Sequence, residues 1–396
     1  MGGHLLDDAF FASLESSDGE IETACTLPPA CYTDPEFFRF EKEACFNHEW
    51  LCVGRRSQVA SPGDYFTTSI IGEPIIVAHG RDDVIRAFSA VCQHRAMLVA
   101  EGAGNARGFV CPYHHWVYSL SGELVNAPAM ERTCDFDRKD VRLAPFKVEI
   151  WEGFIFINFD NDAAPLAPRL SAVSAAIANY RLAETEELPS MTGRFAWNWK
   201  VMFENNNDGY HASKLHKGPL HDFVPSERAS FPPADPHDAG FLRFNGTLHP
   251  DASFNPTQRA VLPVFPQLSQ EDRGRMTFAN LPPSLSLVLT SDLVIYLVLR
   301  PASVDLMEQD TGVLVAPGAM EDPAFEHRLE MIMTSAKKII AQYMHVDERV
   351  QIGLNSRFAA RGRYSWQEGA QGQLNRWLLL RYRRTWEAMR PAAAIA

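Results

Sequence analysis

Two short pairs, Cys92-Gln93-His94 and Cys111-Pro112-Tyr113-His114, stand sixteen residues apart in the 396-residue chain. Each pair offers one thiolate and one imidazole. Four such ligands can close a tetrahedral zinc site. They can equally hold a [2Fe–2S] cluster in which two His replace two Cys on one iron. Zinc fingers usually place Cys-x2–4-Cys first and His-x3–5-His last. Here the types alternate, so each loop supplies one ligand of each kind, which favours the cluster over zinc. Four unrelated core residues would leave that alternation unexplained. Trp116 and Tyr118 follow the second pair and can help exclude water. Two neutral imidazoles leave such a cluster, a Rieske centre, less negative, with a potential of roughly −150 to +300 mV.

A second constellation is Glu204-Asn205-Asn206-Asn207-Asp208-Gly209-Tyr210-His211, followed by His216. Two imidazoles and one carboxylate make the facial triad of non-haem Fe(II) oxygenases, which leaves coordination positions open. On an ideal helix His211 and His216 would point about 140° apart. They can share a metal only if the helix distorts or ends between them, and Lys217-Gly218-Pro219 is a helix stop. The spacing does not match the His-Glu-x-x-His of zinc proteases. Alone, two His five apart carry little weight; a cluster motif roughly a hundred residues upstream changes that.

The pattern C-x-H-R…C-P-Y-H-x-W resembles the large subunit of Rieske non-haem iron oxygenases. Asp208-x-x-His211-x4-His216 is similar to that family's mononuclear iron motif. The resemblance implies that Cys92, His94, Cys111 and His114 hold the cluster and that His211 and His216 hold Fe(II). It implies that Asp208 is no ligand, but links a cluster-ligating His to an iron-ligating His between neighbouring subunits. The third iron ligand is an acid ahead of a V-Q-x-G-L-x-S stretch, here Val350 to Ser356. Asp347 is the choice and Glu348 the alternative. Relatives carry the acid about a turn earlier, where this chain has Tyr343. Two positions depart from the family: Ala96 and His115 stand where it usually has Gly. His115 adds a titratable ring beside the cluster.

The resemblance further implies an α+β chain. A small all-β Rieske domain is joined to a larger catalytic domain, whose antiparallel sheet is covered by helices in a helix-grip (START-like) arrangement. The implied activity is that of a terminal oxygenase, a mono- or dioxygenase. It takes O2 and electrons from NAD(P)H through a separate reductase or ferredoxin, and it works as a homotrimer. Its substrate is an aromatic or hydrophobic small molecule that is hydroxylated or oxidatively dealkylated. A quaternary ammonium substrate is the alternative within the class. A Rieske electron carrier without catalytic iron is the alternative from another class. No GxGxxG fingerprint or plant-type ferredoxin spacing is present, so the reductase is expected on another chain.

Composition is ordinary for a soluble globular protein: 46% hydrophobic and 22% charged residues. A net charge of −12 argues against a nucleic-acid surface. Seven cysteines, an odd number, do not read as a disulfide framework and suit a reducing cytoplasm. The N-terminus has no basic start or long apolar stretch, so no secretory signal is expected. The most apolar stretch, Leu285 to Leu299, is broken by Thr290-Ser291-Asp292 and reads as two strands, not a membrane span.

Three segments organise these motifs. Residues 1–48 read as a polar arm and a helix started by Asp34-Pro35, packed on the catalytic domain. Residues 49–155 read as short strands around the cluster loops. Residues 156–396 read as the catalytic iron domain. Within it, Lys217 to Pro256 reads as one long loop. Leu329, Ile332, Met333, Ala336, Ile339, Ile340 and Tyr343 form the apolar stripe of a late helix.

Overall fold

A computed structural model describes residues 5–216 and 224–390. It divides into two compact units, one from Asn47 to Pro165 and one formed by the segments before and after it. The division falls later than residue 155 because the last strand of the small unit runs on to Asn158.

The small unit is built from short antiparallel strands. In chain order these are β1 (Leu51–Arg55), β2 (Asp64–Ile70), β3 (Glu73–His79), β4 (Ile85–Ser89) and β5 (Ala103–Asn105). They continue with β6 (Phe109–Val110), β7 (Val117–Tyr118), β8 (Leu124–Asn126), β9 (Pro145–Trp151) and β10 (Phe154–Asn158). Seven of them form one sheet in the order β1-β10-β9-β4-β3-β2-β5, and β6-β7-β8 form a second. The β2–β3 turn is made by Ile71 and Gly72 at φ 52° and 87°, the left-handed pair that tight hairpins need. One apolar cluster, including Phe88, Phe109, Trp116, Tyr118 and Leu143, also contains Cys92 and Cys111.

The large unit carries β11 (Glu186–Glu187), β12 (Met191–Phe195), β13 (Ala229–Ser230) and β14 (Phe241–Gly246). Four longer strands follow: β15 (Arg275–Leu281), β16 (Leu285–Leu289), β17 (Val294–Ser303) and β18 (Leu306–Val315). They pair antiparallel in the order β11-β18-β17-β16-β15-β14-β13, with β12 also on β18. The 30-residue helix Phe325–Leu354 shares a core with this sheet. Its Ile332 and Ile339 meet Met276, Phe278 and Val288 there. This is the sheet-and-helix arrangement the sequence implied. The expected long loop from Lys217 to Pro256 is interrupted by β13 and β14. Residues 217–223 of it, with the Lys217-Gly218-Pro219 stop, lie outside the described residues.

The N-terminal segment is more ordered than a polar arm. Asp7 caps a helix, Asp8–Leu14, and Phe11 of that helix stacks on Trp386 at 4.3 Å. The helix expected at Asp34-Pro35 is present as Pro35–Glu41, with Asp34 accepting from the Glu36 and Phe37 amides. Its last residue, Glu41, is fully buried. It pairs with the equally buried Lys200 at 2.6 Å and accepts from Trp199 Nε1 at 2.9 Å. Tyr382, in the helix Gly369–Met389, donates to the same carboxylate. These bonds pin the start of the Trp199–Asn207 helix, whose far end leads into the second motif.

Candidate metal centres

The two Cys/His pairs sit on loops of one design. In the first, the Cys92 amide donates to the Met97 carbonyl at 2.8 Å, and the Ala96 amide to the Cys92 carbonyl at 3.0 Å. In the second, Cys111 donates to Trp116 at 2.8 Å, and His115 to Cys111 at 3.0 Å. The fifth residue of each loop must turn left-handed: φ is 56° at Ala96 and 57° at His115. These are the two positions where the sequence departs from Gly. A side chain there is strained, since only Gly adopts that conformation freely.

Both thiols are buried at 2% exposure, and both imidazoles are exposed. The His94 and His114 rings lie 4.5 Å apart, and Trp116 stacks on His94 at 4.8 Å. Tyr118 accepts from the Gln93 amide at 3.0 Å, and its oxygen is 3.3 Å from Cys92 Sγ. Either atom of this contact could donate; a thiolate at Cys92 would accept the phenol hydrogen. The His94 and His114 rings thus stand side by side at the surface, and the Cys92 and Cys111 thiols share one buried apolar cluster.

The second motif does not form a continuous helix. The Trp199–Asn207 helix stops before His211, and Asp208 takes an extended conformation, φ −78° and ψ 109°. His211 begins a short 3-10 turn, His211–Ser213. The break lets His211 and His216 approach with ring centroids 5.1 Å apart. Asp208 reaches His211 through this turn, not along a helix face. Its Oδ1 accepts from the Tyr210 and His211 amides at 2.6 and 3.3 Å, and its Oδ2 lies 2.9 Å from His211 Nδ1. Burial pushes the Asp208 carboxyl up, but the bond and charge of His211 and the backbone amides outweigh it and leave it below the usual range.

Each imidazole is held by its Nδ1. His211 gives that hydrogen to Asp208, and His216 gives its own to Gln342 Oε1 at 2.7 Å. Both contacting atoms are acceptors, so in each neutral imidazole Nδ1 carries the hydrogen and Nε2 the lone pair. Among the described residues both Nε2 atoms are buried without a hydrogen-bond partner, and so is Asp347 Oδ2. The other Asp347 oxygen accepts from Asn205 at 2.7 Å. Burial pushes the Asp347 carboxyl up to about 7 against that bond, and burial pushes His216 down to about 4.

Among the described residues, no three or more His, Cys, Asp or Glu side chains already form a group that could hold a metal ion. The fit is carried by the three unsatisfied acceptors, two imidazole nitrogens and one carboxylate oxygen, which a divalent cation would satisfy. Asp347 is 1% exposed, whereas Glu348 faces solvent. Tyr343, expected as plain core, packs on that core but also lies against both rings, with centroids 5.5 and 4.4 Å away. Asn205 and Gln342 went unremarked in the sequence. Their only trace is an amide side chain on a helix face that otherwise turns inward.

Residues 177–384, more than half of the chain, match the family described as ring hydroxylating alpha subunit (catalytic domain). The chain belongs to this family. Residues 49–147 match the Rieske [2Fe-2S] domain, so the ring-hydroxylating alpha subunit here carries both of its expected parts. The carnitine monooxygenase oxygenase subunit of Acinetobacter pittii is 37% identical over 211 residues, 50% of this chain and 54% of its own length. The glycine betaine monooxygenase oxygenase subunit of Chromohalobacter salexigens is 32% identical over 212 residues, 53% and 47%. The chain thus spans about half the length of the curated relatives it matches. The fold is similar to that of a quaternary ammonium Rieske monooxygenase structure described for carnitine oxidation and inter-subunit electron transfer. The TM-score is 0.76 at 24% identity over 97% of this chain and 99% of that one.

Two predictions come from this geometry. Ala96→Gly and His115→Gly each relieve a left-handed side chain and stabilise their loop by about 0.5–1 kcal/mol, after the greater chain entropy of Gly is subtracted. Denaturant midpoints followed by cluster absorbance should rise; a fall would mean the side chains earn contacts that outweigh the strain. Gln342→Leu removes the acceptor that orients His216. Iron affinity, measured against a chelator, should drop about 10- to 100-fold with the cluster spectrum unchanged, and an unaltered affinity would detach Gln342 from the site.

Proposed function

We propose that this chain is the terminal oxygenase subunit of a Rieske-type mono-oxygenase acting on a small quaternary ammonium compound. In this reading Cys92, His94, Cys111 and His114 hold the [2Fe–2S] cluster. His211, His216 and Asp347 hold the mononuclear Fe(II). The observation that carries it is the trio of buried acceptor atoms, His211 Nε2, His216 Nε2 and Asp347 Oδ2, left without donors. The substrate class rests on the carnitine and glycine betaine mono-oxygenase subunits the chain resembles. A second reading, an aromatic ring as substrate, is favoured by the family's own description.

When bound, the cluster and the iron would supply electron transfer and O2 activation. The residues of the chain do the rest. Tyr118 and Trp116 shield and polarise one side of the cluster loops. Asp208 and Gln342 fix the tautomers of His211 and His216, so that both Nε2 atoms stay free of protons. Electrons are supplied from NAD(P)H through a separate reductase or ferredoxin. In a homotrimer, Asp208 bridges His211 to a cluster-ligating His of the neighbouring subunit, as the carboxylate accepts from both rings. The enzyme works in the cytoplasm. Among the described residues no helix is long and apolar enough to cross a membrane.

The substrate class is tested by a screen of trimethylammonium compounds against aromatic rings, scored by substrate-coupled O2 use and product mass. Turnover of a trimethylammonium compound with formaldehyde release is the expected result; ring hydroxylation alone would transfer the reading to the aromatic class. Asp208→Asn keeps shape but replaces an acceptor by a donor. Both metals should stay bound while stopped-flow reoxidation of the reduced cluster slows by about two or more orders of magnitude, as the loss of a ring-orienting partner predicts. Reoxidation at the parent rate would leave Asp208 as a turn-forming acid and nothing more.

A further inference from the structure

Arg243 lies beside the second centre, and none of the preceding roles uses it. It lies in β14, opposite Phe278 of β15, and is 4% exposed. Its guanidinium carbon sits 3.5 Å from the centre of the Phe278 ring. Nη2 makes one long hydrogen bond, 3.4 Å, to the Asn206 carbonyl. Among the described residues Nε is buried with no hydrogen-bond partner. Asp208 and Tyr343 are the acidic groups that act on it, and among the described residues neither bonds to it. Burial pushes the guanidinium down to about 10, with Tyr343 and Asp208 opposing.

Those two neighbours fix where the guanidinium stands. Asp208 holds His211. Tyr343 packs on His211 and His216. Nη1 lies under the turn between them, 3.3 Å from where a side chain on Gly209 would begin. Phe278 and Tyr343 belong to the same apolar surroundings as Ala212, the residue after His211. Arg243 is therefore a cation in an apolar wall, one side chain away from the paired imidazoles.

A buried guanidinium with no anion hydrogen-bonded to it among the described residues is costly, and structures rarely leave one so. One weak bond to a carbonyl uses a fifth of its donors. The planar fork suits two oxygens of one carboxylate better than any other small group. We propose that Arg243 receives the carboxylate of the substrate, so that the substrate is an organic acid or a zwitterion. This rests on the mononuclear centre proposed above and adds the chemical group that orients the substrate there. A bound carboxylate would meet the free Nε and an adjacent Nη, while the rest of the molecule extends past Tyr343 toward the imidazole pair. Neutral molecules of the same size would leave the charge unmatched and bind less well.

The test uses the holoenzyme and two pairs of probes that differ only in carboxylate against alcohol: glycine betaine with choline, and benzoate with benzyl alcohol. Binding is measured by isothermal titration. The parent should bind the carboxylate of at least one pair about tenfold or more tightly than its alcohol, as one charge-assisted fork is expected to give. Arg243→Gln should reduce that preference to less than about threefold, with iron content and cluster absorbance unchanged. Arg243→Lys keeps the charge without the fork and should fall between; it decides the matter if the Gln variant does not fold. A preference confined to benzoate would overturn the quaternary ammonium reading and leave Arg243 its role. The role is overturned if no carboxylate binds better than its alcohol. It is also overturned if the variants weaken both members of a pair alike, which would make Arg243 only a support for the end of the Trp199–Asn207 helix.

Discussion

Three acceptor atoms buried without donors, His211 Nε2, His216 Nε2 and Asp347 Oδ2, are the constraint on which the larger unit depends. Leaving a buried polar group unsatisfied costs about 1–3 kcal/mol, so the surrounding structure must hold these against collapse. It does so from behind. Asp208, Gln342 and Asn205 each take the opposite atom of one of the three groups. The helix Trp199–Asn207 is anchored at its start by the Glu41–Lys200 pair, which fixes where it stops. Where it stops fixes the Asp208 turn, and that turn brings His211 to within 5.1 Å of His216, centroid to centroid.

The two centres are held by different means. The cluster loops are local: each is closed by a pair of backbone bonds within six residues, and the two copies match bond for bond. Apolar packing buries the thiols and leaves the imidazoles at the surface, where an electron partner can reach them. The site proposed for iron is assembled over distance. Asn205 and Asp347 are 142 residues apart, and His216 and Gln342 are 126 apart. Its chemistry is shielded by the sheet and the long helix instead of being offered to solvent.

That difference decides how much could be read in advance. The cluster motif was legible because ligand type and spacing alternate within one short stretch. The requirement that no regular helix join the two His of the second motif was legible too, and the helix end at Asn207 meets it. The partners were not. Nothing in local periodicity says that Gln342 or Asn205 turns toward an imidazole or a carboxylate, because those bonds depend on how a late helix lies against an early one. Tyr343 sat correctly on an apolar stripe, yet a stripe does not reveal that its last member faces two rings. The departures at Ala96 and His115 were visible as substitutions, but only the backbone angles give them a physical meaning. The N-terminal segment was too polar to read as a helix; its order comes from Phe11 stacking on Trp386.

The central claim is that a mononuclear iron completes those three acceptors. Iron and acid-labile sulfide quantitation of the parent and of Asp347→Ala tests it most directly. The parent should hold about three irons per two sulfides, two in the cluster and one at the triad, and the variant about two per two with the cluster spectrum intact. A parent that never exceeds two irons, or a variant that keeps the third, would contradict the account.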